Sequence, residues 1–171
     1  MEFRDLKKQY QVLKPEMDAA IGQVLEESVY IGGNPVAQLE EELAEYVGVK
    51  HCITCANGTD ALNLALMAWG IGEGDAVFVP DFTFFSSAET VAYEGAVPVF
   101  TDILEDTFNM APDSLERTVQ AVLAEGKLKR RVIVSVGLFG FPGGYEGIRE
   151  LADGGGRARL ACRGRGCAGV L

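Results

Sequence analysis

Over residues 15–28 the apolar side chains Met17, Ile21, Val24 and Leu25 recur at helical spacing, and Gly32-Gly33-Asn34 then interrupts the pattern. A second helix is predicted from Pro35. Its apolar stripe is Val36, Leu39, Leu43, Tyr46 and Val47, its outer face carries Glu40, Glu41, Glu42 and Glu45, and Gly48 is its stop. That acidic run reads as a solvated face. Beyond it, short apolar runs alternate with helical stretches: a strand over 51–55, a helix over 59–69, a strand over 76–79, a helix over 86–94, a strand over 97–100, a helix over 112–124 and a strand over 131–136. Strand–helix alternation of this kind predicts an α/β chain with a mainly parallel sheet flanked by helices on both faces.

Composition narrows the partners. With 171 residues, 48% of them hydrophobic, the chain can bury one core. Its net charge of -10 argues against nucleic acid and against an anionic membrane, since both demand a cationic footprint. No run of 18 apolar residues occurs, and the first residues lack the apolar region of a signal peptide, so a cytoplasmic protein handling small molecules is expected. Cys52-Ile-Thr-Cys55 has redox-motif spacing, but its alternating neighbours read as a strand running into a loop, whereas a redox Cys-x-x-Cys opens a helix. With His51 as the single histidine, neither a zinc site nor a Ser-His-Asp triad is well supplied.

Two segments carry candidate chemistry. Cys55-Ala-Asn-Gly-Thr-Asp-Ala-Leu62 lies where a predicted strand gives way to a helix. Gly58 permits close backbone approach there, while Thr59 and Asp60 place amide N–H groups in the first turn, where the helix dipole favours an anion such as phosphate. The Thr59 hydroxyl adds a donor; the Asp60 carboxylate is expected to turn away or to cap the helix. Read alone, the segment is either a phosphate cradle or only a cap. The second segment, Val79-Pro-Asp-Phe-Thr-Phe-Phe-Ser-Ser87, follows a strand, and carboxyl ends of parallel strands are where α/β ligand sites gather. An exposed aromatic there can stack on a flat heteroaromatic ring. The alternative is that Phe82, Phe84 and Phe85 turn into the core, and at least one of them is expected to. Gly70-Ile-Gly-Glu-Gly-Asp75 follows a helix and precedes a strand, the reverse of a dinucleotide motif, and reads as a turn.

Phe3-Arg-Asp-Leu-Lys-Lys-Gln-Tyr10, Tyr30-Ile-Gly-Gly33, Leu39-Glu-Glu-Glu-Leu-Ala-Glu-Tyr-Val-Gly48, the Cys55 to Leu62 segment, Phe82-Thr-Phe84 and Val97-Pro-Val-Phe-Thr-Asp-Ile103 follow one another in an order that resembles the DegT/DnrJ/EryC1/StrS aminotransferases, from Phe3 to about Asp153. The likeness is greatest to members that aminate UDP-linked keto-sugars for surface polysaccharides. It implies the N-terminal part of the large domain of the type I aminotransferase fold, a homodimer, and pyridoxal 5'-phosphate as coenzyme. It also implies a nucleotide-sugar substrate, with glutamate as amino donor. It assigns Gly58, Thr59 and Asp60 to the coenzyme phosphate and Phe84 to the face of the pyridine ring, with residues 30–34 bordering the site. In such enzymes a lysine holds the coenzyme as a Schiff base and an aspartate keeps its ring nitrogen protonated.

The chain also departs from that family. Gly137 stands where the family carries a polar residue. Residues 154–171 hold six Gly, four Arg, two Cys and no acid, so the charge changes from -14 over residues 1–153 to +4 over the tail. This composition is not expected to form the buried strand that the family has next. Residues 1–153 are therefore read as the family domain and 154–171 as a non-family tail translated out of frame. A genuine arginine-rich tail binding an anionic partner through Arg157, Arg159, Arg163 and Arg165 is the alternative. The Schiff-base lysine and the ring-nitrogen aspartate have no counterpart here, so the chain is expected to be inactive as it stands. A non-catalytic module binding phosphate or a sugar nucleotide is the competing reading. A third is a fragment with strand edges and apolar helix faces exposed.

Overall fold

A computed structural model describes residues 5–128, 131–142, 145–154, 159–164 and 167–170. The chain divides into two compact units, Met1–Thr54 and Cys55–Leu171.

The first unit holds helices α1 (Leu6–Glu27) and α2 (Asn34–Val47). α1 begins nine residues before the predicted start, because Asp5 caps it: its carboxylate accepts the Lys8 N–H at 2.8 Å. Pro15, the first residue of the periodic stretch, lies within the helix. Ser28 ends α1 in the left-handed region, and Gly33 (φ +86°) opens α2. A side chain at Gly33 would strain the backbone and place its Cβ 2.9 Å from Val29 Cγ1, so glycine is required there. Neither helix contains a buried residue, although both carry the apolar stripes that the periodicity identifies. The strand predicted over 51–55 is absent. Among the described residues no strand pairs with this segment; instead the Thr54 N–H, which a sheet would use in its ladder, donates to Glu40 Oε1 at 2.8 Å.

The second unit is built around one sheet. Helix α3 (Gly58–Ala68) precedes β1 (Ala76–Pro80), followed by α4 (Ser86–Tyr93), β2 (Val97–Thr101), α5 (Pro112–Glu125), β3 (Arg131–Val136), a short 3-10 turn (Leu138–Gly140), α6 (Tyr145–Gly154), β4 (Arg159–Gly164) and β5 (Cys167–Val170). The sheet order is β2-β1-β3-β4-β5. The first four strands run parallel to their neighbours, and β5 is antiparallel to β4. Strand period two divides the core: Val77 and Val79 of β1 pack with Leu62 and Leu66 of α3 and Val91 of α4 on one face, while Ala76 and Phe78 pack with Leu115 and Val119 of α5 and Ile148 of α6 on the other. All five residues of β1 are buried, as a central parallel strand covered on both faces requires.

The tail corrects one expectation. Its composition argued against a strand, yet residues 159–164 pair in parallel with β3, from Val132 opposite Arg159 to Val136 opposite Arg163. The open edge of β3 presents backbone N–H and C=O groups that must be satisfied, and ladder pairing does not depend on side-chain type. Leu160-Ala-Cys162 supplies a short apolar run at that position.

Candidate functional site

The parallel strands β1, β2 and β3 deliver their carboxyl ends to one edge of the sheet. α3 packs along the sheet and joins the start of β1 through residues 69–75, so its first turn lies at that same edge.

In this first turn the extended Asn57 is the cap (φ -164°). Its Oδ1 accepts two backbone donors, Thr59 N–H and Asp60 N–H, both at 3.0 Å. Its Nδ2 donates to Asp60 Oδ2 at 3.1 Å, and its carbonyl accepts the Ala61 N–H at 3.1 Å. Gly58 and Thr59 are half-buried, and Asn57 and Asp60 are exposed. Gly58, Thr59 and Asp60 thus form the first turn of α3, as the sequence predicts, but the state of their amides differs from the expectation. The two amide N–H groups expected to be open for an anion both converge on the Asn57 side chain, a short polar residue able to fold back on its own helix. An anion enters only by displacing the Asn57 oxygen. The Asp60 carboxylate is turned aside onto Asn57, as its repulsion of phosphate requires. The fit to a phosphate monoester is therefore good in donor type and direction, at the cost of one side-chain rotation.

After β1 the chain is held to β2: Asp81 N–H donates to the Thr101 carbonyl at 2.9 Å, and Thr83 Oγ1 lies 3.0 Å from Ser87 Oγ. Phe82, Phe84 and Phe85 are 50%, 63% and 72% exposed, so none turns into the core. Phe78 already fills the α5 and α6 face beneath this loop, and α4 begins at Ser86 with the buried pair Ser86 and Ser87 taking the inward positions. Phe84 is thus an exposed ring on the loop after β1, at the carboxyl edge of the sheet.

Sequence reading missed Asn109. It is 3% exposed and follows β2; its Nδ2 donates to the Pro142 carbonyl at 3.1 Å and its Oδ1 accepts the Leu138 N–H at 3.4 Å. It ties the loop after β2 to the loop after β3. Nothing in the local pattern distinguishes Asn109 from a turn asparagine, since its partners lie 29 and 33 residues away.

In the first unit, Glu40 Oε1 accepts both the Thr54 N–H and the Thr54 hydroxyl at 2.8 Å. The backbone donor chiefly, and the hydroxyl next, hold the Glu40 carboxyl below its ordinary range. A shallow cavity of about 280 Å³ beside it is lined by Glu40, Glu41, Ala44, Lys50, His51 and Cys52. Among the described residues no group of three His, Cys, Asp or Glu is arranged to hold a metal, and no helix is long and apolar enough to cross a membrane.

Comparison with known proteins joins these features. Residues 11–157 match the DegT/DnrJ/EryC1/StrS aminotransferase family. The UDP-2-acetamido-2-deoxy-3-oxo-D-glucuronate aminotransferase of Pseudomonas aeruginosa is 42% identical over 153 residues, covering 90% of this chain and 41% of that protein. The crystal structure of a DegT DnrJ EryC1 StrS aminotransferase from Brucella abortus superposes with TM-score 0.89 at 45% identity, over 94% of this chain and 43% of the other. S. venezuelae DesV, solved in complex with a ketimine intermediate, superposes with TM-score 0.83 at 31% identity, over 94% of this chain and 48% of the other. The chain therefore spans less than half the length of these relatives.

Proposed function

Because the chain belongs to the DegT/DnrJ/EryC1/StrS aminotransferase family and has the fold of its pyridoxal-phosphate-dependent sugar aminotransferases, we propose that it carries the coenzyme-phosphate part of a homodimeric transaminase that aminates a UDP-linked keto-sugar with glutamate as donor. The observation carrying this reading is the Asn57 to Asp60 turn, where two N–H groups of one helix turn converge on a single oxygen at 3.0 Å. In the proposal Asn57 rotates out and Thr59 and Asp60 N–H groups take a phosphate oxygen. The Thr59 hydroxyl adds a donor, and Gly58 lets the phosphate approach the backbone. Phe84 lies against the coenzyme ring. Pyridoxal phosphate, when bound, supplies the electron sink through which amino groups are exchanged.

For the chain as it stands the proposal is binding without turnover. Lys7, Lys8, Lys14, Lys50 and Lys127 are exposed, and none lies on the loops after β1, β2 or β3. Lys14 is also held protonated by Asp18 and Tyr10, which raise its pKa, so it is a poor nucleophile. Residues 154–171 are proposed to be an out-of-frame continuation, which the nucleotide sequence past codon 154 tests directly.

Calorimetry with pyridoxal phosphate tests the site. The expected result is weak binding, competed by inorganic phosphate and lost when Thr59 is replaced by Asp, with no lysine gaining mass after borohydride reduction. Absence of any binding would sink the cradle, and a lysine that gains the coenzyme's mass would sink the claim of inactivity.

A further inference from the structure

The loops that follow β1, β2 and β3 meet in an aromatic corner that the coenzyme reading leaves unused. The Phe82 and Phe108 ring centroids lie 5.6 Å apart at an interplanar angle of 40°, and those of Phe108 and Phe139 lie 6.2 Å apart at 83°. The three rings come from three separate strand ends, and they face solvent: Phe82 is 50% exposed, Phe108 40% and Phe139 83%.

Two of the three rings stand on strained backbone. Phe108 (φ +58°) and Phe139 (φ +54°) both occupy the left-handed region, which strains a non-glycine residue. The buried Asn109 amide, bonded to Leu138 and Pro142, locks the two loops together beside these rings. Strain of this kind persists where surrounding structure over-determines it, and it gathers at ligand sites.

Charge and shape limit the occupant. Residues 81–85, 102–111 and 137–142 contain Asp81, Asp102, Glu105 and Asp106, all exposed, and no Lys or Arg. A phosphate is repelled here, so any ligand part that rests on these rings is uncharged or rich in donors. Asp102 is engaged with the Ile103 N–H at 2.8 Å, which leaves Asp81, Glu105 and Asp106 as acceptors. A planar base needs one open flat face; two walls at 83° instead form a corner that fits a puckered ring, with its C–H face on one wall and its edge on the other.

We propose that Phe82, Phe108 and Phe139 seat the pyranose ring of the sugar substrate, with neighbouring carboxylates accepting its hydroxyls. The source of that sugar rests on the nucleotide-sugar reading above; the corner itself does not.

Saturation-transfer NMR on the whole 171-residue chain tests the proposal, with N-acetylglucosamine and uridine monophosphate as separate probes, each with and without pyridoxal phosphate. The expected result is saturation of the sugar-ring protons, lost in Phe139→Leu and reduced in Phe82→Leu. Leucine keeps the apolar bulk but removes the ring face, and an unchanged thermal midpoint shows that the variants fold. Sugar protons that stay unsaturated in the parent chain, or remain saturated in Phe139→Leu, overturn the proposal. So does saturation of the uracil protons that Phe139→Leu abolishes, which would make the corner a base platform. Pyridoxal phosphate binding without sugar binding defeats this inference alone; sugar binding without pyridoxal phosphate binding supports it and defeats the coenzyme reading.

Discussion

Helices α1 and α2 do not bury a single residue, whereas every residue of β1 is buried. Both regions are marked by apolar residues in the sequence, a helical stripe on α1 and α2 and a continuous run in β1, so apolar content alone does not account for the difference. β1 sits between two strands and under helices on both faces, and each apolar side chain finds a partner from a distant part of the chain. On α1, Leu6, Met17, Ile21 and Leu25 are between 42% and 71% exposed. Amphipathicity states that a helix has a face to bury; it does not supply the surface that buries it.

The largest expected effect is in the sheet. Phe78→Ala removes a fully buried ring from the α5 and α6 side and is expected to cost about 3–5 kcal/mol, a large share of a domain's stability. Urea unfolding checks it, and a loss under about 1 kcal/mol would mean that this face is not the packed core described. Next is the cap of α3. Asn57→Ala leaves the Thr59 and Asp60 N–H groups without their acceptor and is expected to cost about 1 kcal/mol. For a chain of this size that lowers the thermal midpoint by about 2–4 °C. Added phosphate should restore part of that loss in the variant, since the anion then fills the vacated acceptor position.

A smaller effect is pH-dependent and belongs to the first unit. The Glu40 carboxyl is lowered by its bonds to Thr54, so the tether is fully present above the ordinary glutamate range and is lost as pH falls through the depressed value. Amide exchange at Thr54, measured relative to its intrinsic rate at each pH, should therefore accelerate at acid pH. In Glu40→Gln, which does not titrate, that dependence should vanish; the same acid acceleration in both proteins would sink the assignment. The smallest effect sharpens the comparison most. Ile21→Ala on α1 is expected to change stability by no more than about 0.5 kcal/mol, because the side chain is already 54% exposed. A cost like that of Phe78→Ala would show that α1 is buried in solution by a surface outside the described structure.

The site was legible where its residues are contiguous. Gly58, Thr59 and Asp60 stand at a helix start that can be read from a strand-like run, a glycine and an apolar helical repeat, and the structure places that start within one residue. The exposure of Phe84 was not legible, because an aromatic run after a strand serves a core as well as a ligand edge. Neither was the occupation of the turn by Asn57, which depends on the rotamer of one exposed amide. Asn109 and the Phe82, Phe108 and Phe139 corner were invisible for a different reason. Each joins residues about 26 or more positions apart in the chain, and periodicity carries no information at that range.

By itself the sequence determined the α/β alternation, the strand 131–136 to the residue and the start of α3 to within one residue, because backbone sterics, side-chain period and helix capping act over a few residues. It overstated one strand, at 51–55, and excluded one, at 159–164. Those two outcomes were decided only in tertiary structure, because a strand exists by hydrogen-bonding to a neighbour. Residues 51–55 have an apolar pattern and no neighbour, whereas residues 159–164 have an unpromising composition and the open edge of β3.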